Sequence, residues 1–144
     1  MTNMTNLKKE IKKVSMNFSN GVTVVNATPH PLSFLSPEGE KVIVPTSVPT
    51  GEKTGPVIIN AKAVETPVGD FLVKTVFEPT EEGAEILAAI DQVFGDTPNV
   101  MVVGSIIAMN AFAGRVRGLV PAPGFERVPP AEKLMSVEKF NTAL

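Results

Sequence analysis

The chain has 144 residues, 43% of them apolar and 19% charged, which suits one domain with a real core and is small for two. Its net charge of −2 provides no general attraction to nucleic acid. The absence of cysteine removes disulfides, thiolate metal sites and cysteine nucleophiles together, and with no Trp or Tyr only phenylalanine offers a large aromatic surface to a ligand.

The opening "MTNMTNLKKEIKKVSMNFSN" has no long apolar stretch and no small-residue cleavage site, so it does not read as a secretory signal. Leu7, Ile11 and Val14 fall at helical spacing among lysines. Residues 1–20 are therefore expected to be a helical or flexible arm, too short to be ordered without the body or a neighbouring subunit. Its lysines read as a solvated face rather than an anion patch. Residues 21–144 are expected to form a single α+β domain.

From Gly21 to Phe77 the pattern is one of short strands broken by Pro and Gly. "VTVVN", "LSFL" and "KVIVP" read as strands, separated by the turns "ATPHP" and "SPEGE". "TSVPTGEKTGP" reads as a loop. "VIINAKAVET" and "DFLVKTVF" flank "PVG" as a hairpin. A mainly antiparallel sheet is expected from this first half.

"PTEEGAEILAAIDQVFG" predicts a helix capped by Thr80, with Glu81 and Glu82 at its positive end and an apolar stripe of Ile86, Leu87, Ile90, Val93 and Phe94. Gly95 ends it. "VMVVG" reads as a buried strand. Ser105 then caps a second helix to about Phe112, stopped by Gly114. Ile106, Ile107, Met109 and Phe112 cover most of this helix's circumference, so burial at a subunit interface is expected. "RVRGLV" reads as a strand with Arg115 and Arg117 on one face. After a proline-rich loop, "AEKLMSVEKF" reads as a short helix. The longest apolar run, near Val100 to Met109, is far below the roughly 20 residues that cross a bilayer, and a cytoplasmic protein is expected.

Few residues offer chemistry. His30 is the only histidine and sits between two prolines, without a serine motif to make it catalytic. A zinc site would need three carboxylates beside it. The carboxylates of "EEGAE" are already explained by the helix dipole, and "VVGS" before a helix matches no phosphate-loop pattern. Asn110 lies in the apolar "VVGSIIAMNAFAGRV". It is either a core or solvent-facing amide satisfied by its surroundings, or an amide that reads the polar edge of a ligand such as a purine. The three arginines, Arg115, Arg117 and Arg127, fall close together while ten lysines are spread elsewhere. They suit phosphate or carboxylate, or salt bridges, for example to Glu126 or Glu132.

"VVGSIIAMNAFAGRV", "LVPAPGFERVPPAEKLM" and "VVNATPHPLSF" together resemble the first-described Thoeris anti-defence proteins of bacteriophages, from about Val22 to Phe140. The resemblance implies a sponge in the host cytoplasm. Such proteins bind cyclic ADP-ribose isomers made by a Toll/interleukin-receptor (TIR) domain enzyme and hold them without cleavage, using no metal or cofactor. It also implies assembly from dimers, with pockets at subunit interfaces and hexamers in some members. Certain members bind cyclic oligonucleotides at separate sites. The family's ligand-contacting asparagine and arginine fall on Asn110 and Arg127. No aromatic lies between Phe94 and Phe112 to stack on adenine, which leaves Phe112, Phe125 or an aliphatic wall. A phage structural or assembly protein and a small nucleotide-processing enzyme are the alternatives.

Overall fold

The computed structural model describes residues 3–144. Met1 and Thr2 of the expected arm lie outside the described residues. The first helix, α1 (Met4–Lys13), begins where the Asn3 side chain accepts a hydrogen bond from the Asn6 N–H, satisfying one of the free donors of the first turn. Leu7 and Ile11 are buried, and Val14 follows them into the core. The lysine-rich segment is thus ordered by its apolar stripe, which packs in the same cluster as the stripe of α2 (Glu81–Phe94).

The strands are β1 (Ser15–Asn17), β2 (Thr23–Asn26), β3 (Leu32–Leu35), β4 (Lys41–Val44), β5 (Ala61–Pro67), β6 (Val73–Pro79), β7 (Val100–Val103), β8 (Val116–Pro121) and β9 (Met135–Asn141). A short helix, α3 (Ile106–Ala111), links β7 to β8. The chain is α+β, as expected, but its sheet is mixed. Seven strands run in the order β1-β2-β7-β8-β9-β3-β4, and β5-β6 stand apart as a two-stranded sheet. The pairs β2/β7, β7/β8 and β3/β9 are parallel. The antiparallel pairs are β1/β2, β3/β4, β8/β9 and β5/β6.

Two expectations are corrected here. The first-half strands pair antiparallel but only two by two: β7, β8 and β9 stand between β1-β2 and β3-β4 in the large sheet, and β5-β6 form a sheet of their own. Hairpins leave a local turn signal, whereas a parallel neighbour arrives from far along the chain and leaves none. The tail "AEKLMSVEKF" is not a helix: after a single 3-10 turn at Pro130–Glu132 it becomes β9. Its apolar residues fit either period, and the slot between β8 and β3 takes the alternating set, with Val137 buried.

β2 and β7 separate two cores. Val25 and Val102 point into the cluster shared with α1, α2 and α3, while Val24 and Val103 point into a second cluster with Phe18, Phe34, Val44 and Val137. The second cluster is closed by the sheet rolling on itself. Phe18, just past β1, meets Phe34 of β3 edge-on with ring centroids 5.8 Å apart, although the two strands are far apart in strand order. Full burial of a side chain such as Phe34 is worth roughly 1.5–3 kcal/mol.

Asn26 locks the roll. It is wholly buried. Its Nδ2 donates to the carbonyls of His30 at 2.8 Å and Pro45 at 3.1 Å, and its Oδ1 accepts from the Thr28 N–H at 2.9 Å and hydroxyl at 2.6 Å. These bonds tie the end of β2 to the end of β4. The "NATPHP" stretch is therefore a structural corner: its amide and hydroxyl do the bonding, and His30 contributes its carbonyl while remaining exposed.

Candidate functional site

The residues singled out by sequence gather around α3 and β8. Val103 ends β7, Gly104 turns, and the Ser105 hydroxyl accepts from the Ala108 N–H at 3.1 Å to start α3. Gly104 is required by space, since a Cβ there would come within 2.6 Å of a Val116 methyl. The crossover through residues 104–115 is about the dozen residues that a parallel pair needs.

α3 is buried on one face only. Ala108 is buried, Met109 is half-buried, and Phe112 at the helix end is buried. Ile106 is 71% exposed and Ile107 44%. Asn110 lies one turn beyond Ile106 and shares its outward face. It is exposed, and its Nδ2 donates to the Ile106 carbonyl at 3.0 Å. The amide in the apolar stretch is thus solvent-facing and back-bonded to its own helix. Among the described residues, every buried side-chain nitrogen and oxygen has a partner.

Phe112 lies against the start of α2, where a Cβ on Gly83 would approach its ring to 2.5 Å. Within the chain its ring serves packing and presents no open stacking face. Phe125 is half-buried in the loop after β8, its N–H donating to the Ala122 carbonyl.

The arginines diverge. Arg115 precedes β8 instead of lying in it, which corrects the expected shared face. Its Nη2 reaches both carboxylate oxygens of Asp91 on α2 at 2.8 Å. Arg117 Nη1 donates to the Thr142 hydroxyl at 2.6 Å. Arg127 is exposed, and among the described residues no hydrogen bond or ion pair engages its side chain. Glu126 instead accepts from the Gly124 N–H at 2.6 Å. No hydrogen bond joins Asn110 to an arginine among the described residues.

A cleft of about 510 Å³ lies elsewhere, open to solvent between Leu7 of α1, the segment 53–60 and the first turns of α2, and lined by Ile86, Lys53, Glu82 and Glu85 among others. None of the six candidate residues lines it. Sequence reasoning passed over this cleft because its walls come from three distant segments. It also passed over the run Phe71-Leu72-Val73, whose unbroken apolar character breaks the alternation of a half-buried strand and was a readable signal.

No group of three or more His, Asp or Glu side chains among the described residues is placed to hold a metal ion, and no helix there is long and apolar enough to cross a membrane. No family model, curated protein or solved structure matches the chain.

Proposed function

We propose that this protein is a phage anti-defence sponge that sequesters cyclic ADP-ribose isomers made by TIR-domain enzymes, without cleaving them, in the host cytoplasm. The reading rests on the resemblance of "VVGSIIAMNAFAGRV" and "LVPAPGFERVPPAEKLM" to the Thoeris anti-defence proteins. The observation that supports it best is the state of Arg127, an exposed guanidinium that no group among the described residues engages. Such a fork is available to a pyrophosphate. Asn110 adds an exposed amide whose carbonyl oxygen is left for a donor on the ligand. Arg117, half-buried beside Thr142, is a second cation for the same ligand, whereas Arg115 is already held by Asp91. Phe125 is the more accessible aromatic for a base. Asn110 and Arg127 would come together across copies of the chain, in an oligomer built through α3. A cyclic oligonucleotide site separate from this one belongs to the same proposal.

The exposed apolar side chains of α3 and the hairpin favour a second reading, a phage structural or assembly protein. One experiment separates the readings. The purified protein is incubated with a cyclic ADP-ribose isomer, the free nucleotide is measured, and the protein is then heated. A sponge depletes the nucleotide and returns it unchanged, an assembly protein leaves it free, and an enzyme yields a product.

A further inference from the structure

The cleft between α1, the segment 53–60 and α2 brings together an apolar lining, a free stretch of main chain and charges of both signs. Leu7 and Ile86 line it as buried members of the core cluster, with Ile58 half-buried beside them. The segment 53–60 is held in place by the body of the chain. The Val57 N–H donates to the Ser47 hydroxyl at 2.9 Å, the Ile59 N–H donates to the Ala27 carbonyl at 3.2 Å, and the Asn60 carbonyl accepts from the Thr80 hydroxyl at 2.9 Å. Burial alternates from Val57 to Asn60, as it does along a strand. Ile58 falls on the open side of that alternation. Among the described residues, its N–H and its carbonyl have no hydrogen-bond partner.

α2 supplies Glu82 and Glu85 to the same cleft, three positions apart and so on one helix face. Glu81, which does not line the cleft, already complements the positive end of α2. Lys53 enters from the segment 53–60. All three side chains are exposed, and none has an ion-pair partner among the described residues. A pyrophosphate would meet two carboxylates for one ammonium here, so the charges disfavour a nucleotide. We propose that the cleft binds the C-terminal end of a peptide in extended form. Its main chain pairs with the N–H and carbonyl of Ile58, an apolar side chain covers Leu7 and Ile86, a basic side chain meets Glu82 and Glu85, and the terminal carboxylate meets Lys53. Side chains two positions apart share one face of an extended peptide, which sets the spacing of the apolar and basic residues. The volume of about 510 Å³ falls in the range of small-ligand pockets and limits the bound stretch to a few residues. The proposal is independent of the nucleotide reading, because none of the residues assigned to the nucleotide lines this cleft.

Calorimetric titration of the full chain with a short acetylated peptide tests it. The probe carries leucine and arginine two positions apart among serines and ends in a free carboxylate. It should bind saturably in the micromolar range. Three altered probes need no change to the protein: glutamate in place of the arginine and methylation of the main-chain nitrogens should each weaken binding by roughly tenfold or more, and amidation of the terminal carboxylate by about threefold. The double variant Glu82→Gln, Glu85→Gln should bind the parent probe roughly tenfold more weakly. Both side chains are exposed, so its melting temperature should stay close to that of the unaltered protein. Glu138→Gln, on β9 and away from the cleft, should change nothing. A cyclic ADP-ribose isomer should not displace the peptide. Absence of saturable binding would overturn the proposal. So would equal affinity for the arginine and glutamate probes, unchanged affinity in the double variant, or displacement by the nucleotide.

Discussion

The rolled sheet and the hairpin face use the same residue types to opposite ends. In the roll, Val24, Val25, Val103 and Phe34 are buried on both sides of the sheet, and the one deep amide, Asn26, has every bond it can make. In the hairpin and α3, Val73, Val76, Phe71 and Ile106 lie in water, and the amide Asn110 bonds only to its own helix. Hydrophobicity alone does not separate the two regions. Connectivity does: strands threaded between distant segments are covered on both faces, while a hairpin closed on itself keeps two unpaired edges and here meets only the short helix α3 beside it.

The comparison breaks most easily at Phe34. Phe34→Ala should destabilise the fold by about 3–5 kcal/mol, read by denaturant titration, because the cavity opens where the two ends of the sheet meet. A loss below about 1 kcal/mol would mean that the roll is not closed there. Asn26→Ala comes next, at about 2–3 kcal/mol, since carbonyls at the corner and the Thr28 hydroxyl lose a buried partner together.

On the open side the effects shift from stability to binding. Arg127→Ala should weaken capture of a cyclic ADP-ribose isomer by about 1.5–3 kcal/mol in calorimetric titration, with Arg127→Lys restoring it only in part. Asn110→Ala should cost about 1–2 kcal/mol of binding and leave the melting temperature nearly unchanged, because its bond to the Ile106 carbonyl is exposed. Full affinity in both alanine variants would remove these residues from the site. Arg115→Ala, which breaks a solvent-exposed pair with Asp91, should alter stability by no more than about 1 kcal/mol. Phe71→Ser should have the smallest effect on the isolated chain, within about 0.5 kcal/mol in dilute solution.

Much of the secondary structure was readable from local chemistry. Thr80 and Ser105 accept from N–H groups three residues on, as their positions before apolar stripes predicted, and Gly95 ends α2 at positive φ, whereas α3 already ends at Ala111 with Phe112 as its C-cap and Gly114 lies in the turn beyond. The hairpin was readable from its turn, although its strands reach Pro67 and leave the tip at residues 68–72. For Asn110 the sequence left a core and a solvent-facing position open, because burial is set by what lies opposite a helix face; among the described residues nothing covers Ile106 and Asn110, and both are exposed. The stretch 135–141 shows the converse, since its apolar spacing satisfied a helix and the sheet had a vacant position for a strand.

By itself, then, the sequence determined the caps, the turns, the short strands and the amphipathic stripes, all of which depend on residues within a few positions of one another. Tertiary structure decided the parallel neighbours of β2, β7 and β3, the strand at the tail, the burial of Phe112 against Gly83 and the separate fates of the three arginines. Each of those depends on which distant segment arrives at a given face, and the free energy that selects it comes from apolar area removed from water across the whole chain, which no local window contains.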